Sequence, residues 1–112
     1  MAQLVAVVGP TGIGKTGLAV RLAARFHGEI IGADSRQVYR RMDIGTAKPA
    51  PEDRARVPHH LVDIIEPDEP FSLGLYLQYA RAALADIRSR GNVPFLVGGT
   101  GLYVRAFLEG WQ

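Results

Sequence analysis

"LVAVVGPTGIGKTGLAVRLAARF", residues 4–26, passes from an unbroken apolar run through a glycine-rich turn into an amphipathic stretch. Residues 4–8 carry no polar side chain, the pattern of a strand covered on both faces of a parallel sheet. "GPTGIGKT" then meets the Walker A spacing, glycine, four variable residues and glycine-lysine-threonine, with the required strand before it and helix after it. Gly9 opens the turn, and Gly12 and Gly14 relieve its steric limits, so that successive backbone N–H groups, those of Thr11 and Ile13 among them, can face phosphate oxygens. The positive end of the following helix adds to the same field. Lys15 supplies a point charge for the outer phosphate, and Thr16 offers a hydroxyl to magnesium. The stretch predicts a phosphate-binding loop. It leaves open whether a phosphoryl group is transferred or a leaving group is held.

Working outward, the helix after the loop is expected to bury a stripe of Leu18, Leu22 and Phe26, with Ala19 and Ala23 beside it and Arg21 and Arg25 toward solvent. Gly28 is expected to end it. "EIIGAD", residues 29–34, supplies a second strand with Asp34 at its carboxyl end, completing a strand-helix-strand unit. Residues 36–59 read as a binding loop with one short helix around Glu52 to Arg56, and residues 61–65 as a short strand or extended edge. Residues 71–91 carry Leu73, Tyr76, Leu77, Ala80, Leu84 and Ile87 near one helical face, behind a Ser72 cap. "VPFLVGG", residues 93–99, is another central-strand signal, with Pro94 at its start, and a further helix follows. The predicted class is α/β, a P-loop NTPase-like parallel sheet flanked by helices. About three strands are legible against the five or six of an average sheet, so an incomplete domain, the N-terminal piece of a larger enzyme, is expected.

Composition narrows the classes further. The chain has 112 residues, 47% hydrophobic, enough for one small core and not two. It has no cysteine, which excludes a disulfide framework and thiolate chemistry and is compatible with a reducing cytoplasm. No charge-free run approaches the roughly 18 to 20 residues that span a bilayer, and Met1 leads directly into the first strand, so a soluble protein without a leader or membrane partner is expected. A formal charge of +2 neither requires nor excludes nucleic acid.

The usual companion of a phosphate loop is an apolar strand ending in aspartate. Here that strand ends in Gly98-Gly99-Thr100, which argues against a motor or GTPase and for a small-substrate transferase, the glycine pair letting substrate approach the sheet. The acid appears instead as Asp34, after the second strand, at the end of the sheet where doubly wound folds place their crevice. It suits a proton acceptor or a water-mediated magnesium ligand, and an Asx turn with Ser35 explains the same letters. Arg36, Arg40 and Arg41 cluster around Gln37 and Tyr39, as an RNA-phosphate contact or as a solvated loop. His59 and His60 lack the spaced partners of a metal site and are expected to shape the loop or to meet RNA.

"GPTGIGKT", "ADSRQVY", "MDIGTAKP", "PHHLVDI" and "LVGGTGLYVRAFLEG", in this order and spacing, resemble the N-terminal half of the tRNA dimethylallyltransferase family. The resemblance runs from about Leu4 to Gly110. It implies transfer of a dimethylallyl group from dimethylallyl diphosphate to N6 of an adenine beside the tRNA anticodon (adenosine 37), so that the loop holds a leaving diphosphate. It implies Asp34 as acceptor of the N6 proton, Thr100 on the diphosphate or nucleophile side, and Mg2+ on Thr16. Ser35, Arg36, Gln37, Thr46 and Lys48 become candidate contacts of the anticodon stem-loop. It also implies a cytoplasmic protein, monomeric in full-length form, with residues 1–112 as the N-terminal portion of a P-loop prenyltransferase domain and a helical RNA-binding insertion and C-terminal portion outside it. Two alternatives stay open at this point: an ATP-dependent small-metabolite or nucleoside kinase, and a non-catalytic RNA- or diphosphate-binding fragment.

Overall fold

Parallel strands need crossovers, and the chain supplies a helix for each long one. The computed structural model describes residues 4–8, 15–34, 38, 51–62, 64–66 and 70–110. In chain order these hold β1 (Val5–Val8), α1 (Lys15–Arg25), β2 (Gly28–Gly32), α2 (Pro51–Arg56), β3 (His59–His60), α3 (Leu73–Ser89), β4 (Val93–Gly98) and α4 (Gly101–Glu109). The described strands form one sheet in the order β1-β4-β2-β3, with every pairing parallel. The expected strand-helix-strand unit is therefore split: β4 lies between β1 and β2 and pairs with both.

The apolar side chains expected to form one core are divided by the sheet into two clusters, because successive residues of the central strands face opposite sides. Ile30, Phe95 and Val97 face α1, where they meet Ala19, Val20 and Ala23. Ile31 and Leu96 face the other side, where Tyr76, Leu77, Ala80 and Ile87 of α3 and Tyr103, Ala106 and Phe107 of α4 close over them. This is the three-layer arrangement that the apolar runs predict. Among the described residues, no helix is long and apolar enough to cross a membrane.

Several boundaries differ from expectation for local reasons. The buried face of α1 is made of the small residues Ala19, Val20 and Ala23, which let the helix approach the sheet closely, while Leu18 and Phe26 are about half exposed. Gly28 does not end α1. The chain reverses at His27, whose φ of 56° lies in the left-handed region, and Gly28 is the first strand residue. A Cβ there would meet the Phe95 ring and come within 3.0 Å of the Ala23 backbone, so Gly28 is where helix, strand and aromatic ring converge. The edge strand falls on His59–His60 rather than on residues 61–65, because Leu61, at φ 67°, turns the chain away after two residues. Pro94 sits at the second position of β4, where its missing N–H leaves the pairing with Glu29 intact in register. Ser72 does cap α3, its hydroxyl accepting from the Leu75 N–H at 3.1 Å, and Gly110 closes α4 at φ 72°.

At the amino end of the sheet the fold buries one carboxylate. Glu29 is 1% exposed and accepts from Arg90 Nε (2.8 Å) and Asn92 Nδ2 (2.8 Å) on one oxygen, and from Arg90 Nη2 (2.6 Å) and His60 Nε2 (2.8 Å) on the other. The Arg90 hydrogen bonds are the largest influence, outweighing burial, and hold the Glu29 carboxyl at about 2, against an ordinary 4.5. Arg90 follows α3, Asn92 precedes β4 and His60 ends β3, so this one side chain ties four parts of the chain.

Because the folded value lies below the unfolded one, the contribution is fully present above pH 4.5 and is lost as the pH falls toward 2. Arg90 is 41% exposed, and solvent reaching it reduces the value of the cluster to about 2 kcal/mol. Glu29→Gln is expected to lower stability at pH 7 by roughly this amount and to flatten the acid limb of a denaturant-midpoint-against-pH curve. An unchanged acid limb would show that the cluster does not carry the acid sensitivity.

Candidate functional site

The carboxyl ends of parallel strands share one side of the sheet, and register brings three of them level. Val8 lies opposite Gly98, and Gly32 opposite Val97. The entrance to "GPTGIGKT", the Asp34 segment and the Gly98-Gly99-Thr100 turn therefore meet at one edge, as the sequence pattern requires. α1 begins there at Lys15 and α4 at Gly101, so two helix amino ends, each with N–H groups that have no partner within the helix and a partial positive charge, point at the same region. An anionic group is the ligand that such an arrangement favours.

Backbone contacts set the spacing of Asp34 and Thr100. The Ala33 N–H donates to Val97 O at 2.8 Å, and the Thr100 N–H donates back to Ala33 O at 3.1 Å. These bonds carry the β2-β4 pairing past the ends of the strands, one residue beyond β2 at Ala33 and two beyond β4 at Thr100. Gly98 makes that possible: a Cβ there would overlap the carbonyl group and Cα of Ala33. The first glycine of the pair thus serves the approach of one strand end to another, and not of a substrate to the sheet, as its position alone suggested. Gly99, next along, is exposed.

Asp34 is 5% exposed, buried where β2 and β4 join. Thr100 is half-buried and stands at the N-cap of α4, yet its hydroxyl makes no capping bond to that helix. Beneath them Tyr76, fully buried, donates its hydroxyl to Gly32 O at 2.8 Å, and its ring stacks on Tyr103 with centroids 4.2 Å apart and planes 19° apart. Burial, reinforced by Tyr103, pushes the Tyr76 phenol well above its ordinary range, so it is a donor at any physiological pH. Tyr76 was legible as a core helix position. Its hydroxyl was a signal that a buried tyrosine must find an acceptor, but not of which one.

Of the other candidate residues, Lys15 and Thr16 open α1. Gly9, Thr11, Gly12, Ile13, Gly14, Ser35, Arg36, Gln37, Tyr39, Arg40, Arg41, Thr46 and Lys48 lie outside the described residues. His59 and His60 belong to the sheet. His60 is bonded to Glu29, and His59 donates from Nδ1 to Val57 O at 2.9 Å, its buried Nε2 having no hydrogen-bond partner among the described residues. Burial lowers the pKa of His59 and keeps it neutral. Among the described residues no three His, Asp or Glu side chains form a metal cage. An open groove of about 410 Å³ runs between β3 and α3, lined by His59, His60, Tyr79 and Asp86 among others, and includes neither Asp34 nor Thr100.

Residues 37–112 match the family described as IPP transferase, and residues 2–59 the one described as Isopentenyl transferase. The chain is 64% identical over its whole length to the tRNA dimethylallyltransferases of Roseiflexus sp. (strain RS-1) and Chloroflexus aurantiacus, covering 37% and 38% of them. Among solved structures, it superposes on the full-length tRNA isopentenylpyrophosphate transferase of Bacillus halodurans with a TM-score of 0.95 at 52% identity, covering all of this chain and 37% of that one. The corresponding values for the tRNA delta(2)-isopentenylpyrophosphate transferase of Staphylococcus epidermidis are 0.90 and 46%, over 96% of this chain and 35% of that one. The chain thus spans little more than a third of the length of these relatives.

The contact at Gly98 yields a direct test. Gly98→Ala is expected to cost about 1–3 kcal/mol, because the new methyl meets backbone that cannot rotate aside. Gly99→Ala, at an exposed neighbour, serves as the control in a thermal melt, and equal midpoints for the two variants would show that Gly98 does not govern the approach of β2 to β4.

Proposed function

The chain belongs to the IPP transferase family, and on that premise we propose that it supplies the donor-diphosphate cradle and the proton acceptor of a tRNA dimethylallyltransferase. The observation that supports this reading most is the buried Asp34 at the joint with Thr100, level with the strand that enters "GPTGIGKT". No acid ends β4, where nucleotide hydrolases carry one, and this supports reading the Asp34 carboxylate as serving the nucleophile.

The reaction forms a bond between the adenine N6 and the allylic carbon and breaks that carbon's bond to the diphosphate oxygen. The exocyclic amine is a weak nucleophile, since its lone pair is delocalised into the ring. Placement and proton removal therefore matter more than intrinsic reactivity. The Asp34 carboxylate takes the N6 proton as attack proceeds, and Thr100 orients the nucleophile or the diphosphate beside it. Lys15, the loop amides of Gly9, Thr11, Gly12, Ile13 and Gly14 and the amino end of α1 stabilise the charge gathering on the departing diphosphate. The phosphate loop holds a leaving group, and no phosphoryl group moves.

Magnesium fits this donor set. A hard cation with few protein ligands and substrate phosphates for the rest is the usual pattern, and neither a cage nor a second acid is needed. Thr16 would hold it, and its contribution is to neutralise the diphosphate. Ser35, Arg36, Gln37, Thr46 and Lys48 face the anticodon stem-loop in this reading, whose single-stranded target base is cheaper to extract than one in a duplex.

The test uses a chimera in which residues 1–112 replace the matching segment of the Roseiflexus relative. It is supplied with magnesium, labelled dimethylallyl diphosphate and an adenine-containing anticodon stem-loop. Label is expected in RNA. Labelled phosphate moving from ATP to an acceptor, with no prenyl transfer, would reassign the chain to the kinases. Within the chimera, Lys15→Ala is expected to raise the KM for the prenyl donor roughly 30-fold by removing a charge partner. Asp34→Ala is expected to lower kcat by roughly 10² to 10⁴ with donor binding retained. Loss of donor binding in Asp34→Ala, in step with activity, would remove the proton-acceptor role.

A further inference from the structure

We infer that Tyr76 is a positioning residue for the Asp34–Thr100 pair, its hydroxyl standing in for a strand that β2 lacks at its carboxyl end. The inference rests on the proposed function of that pair, and its geometry is independent of it.

Residues of a strand turn their N–H and C=O groups alternately to the two neighbours. The Ile30 N–H takes Pro58 O on the β3 side, whereas Ala33 bonds Val97 and Thr100 on the β4 side. Gly32 shares the parity of Ile30, so its carbonyl faces β3. β3 ends at His60, opposite Ile31, two residues short of Val62, whose N–H a continued parallel register would bring to Gly32 O. The hydroxyl of Tyr76 occupies that place at 2.8 Å. The backbone is close-packed at Gly32, where a Cβ would come within 3.2 Å of Leu61 O and 3.3 Å of His60 O.

The ring that carries the hydroxyl is enclosed by packing. It is fully buried, stacked on Tyr103, and touched edge-on by Phe71 at 6.5 Å. Tyr103 stands in the first turn of α4, three residues after Thr100. One side chain therefore reaches both halves of the site: its hydroxyl holds the carbonyl two residues before Asp34, and its face holds the turn that follows Thr100.

Tyr76→Phe keeps the ring, its burial and the stack, and removes only the bond to Gly32 O. In the chimera, kcat for prenyl transfer is expected to fall roughly tenfold, with the KM for dimethylallyl diphosphate changed by less than about twofold, because a small displacement of a reacting group acts on the chemical step. In an Asp34→Asn background the same change is expected to cost less than about twofold, since the group being positioned is already disabled. A lowered melting temperature with kcat intact, or equal losses in both backgrounds, would reduce Tyr76 to a packing residue and overturn the inference. Should the unaltered chimera fail to transfer the prenyl group, the functional reading fails by itself. The positioning claim is then decided by amide hydrogen exchange in the protein. Exchange at Ala33 and Thr100 is expected to quicken roughly tenfold in Tyr76→Phe relative to Ile31 and Leu96. No difference between the two pairs would refute it.

Discussion

The arrangement depends on how closely two strand ends can approach. Ala33 and Gly98 are in backbone contact, and the bonds Ala33 N–H to Val97 O and Thr100 N–H to Ala33 O extend the sheet past its last regular pairing. Any side chain at Gly98 would force β2 and β4 apart at the edge where Asp34 and Thr100 stand. A chemistry that needs a proton acceptor and a hydroxyl a fixed distance apart is served better by backbone contact than by a flexible side-chain bridge, because backbone at van der Waals contact has no rotamer to explore.

The two ends of the sheet each bury a carboxylate in different surroundings. At the amino end a single negative charge is buried, and Arg90, Asn92 and His60 surround it with donors until the charged form is the favoured one. That cluster joins the ends of α3 and β3 to the starts of β2 and β4. At the carboxyl end, two helix amino ends present positive potential near the buried Asp34 carboxylate, a field that favours a bound anion. The parallel topology produces this polarity, since every strand and every following helix runs the same way.

Tyr76 and Tyr103 connect the apolar core to the polar edge. Their stack fills the space under the carboxyl end of β2 as any large apolar pair would, but one hydroxyl also completes the hydrogen bonding of a strand whose neighbour stops short. Buried backbone carbonyls seek donors, and a two-residue edge strand such as β3 supplies few. Core packing and site geometry are therefore the same interaction at this position.

The apolar runs, the Walker A spacing, the Ser72 cap and the alternating faces of the central strands determined the α/β class, the helices on either side and the edge where the candidate site residues Asp34 and Thr100 lie. They could do so because strand periodicity, helix periodicity and loop stereochemistry are local properties of a chain. The ordered set of motifs, from "GPTGIGKT" to "LVGGTGLY", likewise sufficed to indicate the family. Only the tertiary structure decided that β4 divides β1 from β2, that α1 buries alanines rather than Leu18 and Phe26, that His60 serves Glu29, and that Gly98 admits Ala33. Each of these joins residues more than thirty positions apart or depends on how near two elements can lie. Distances of that kind are fixed by packing against partners that no local window contains.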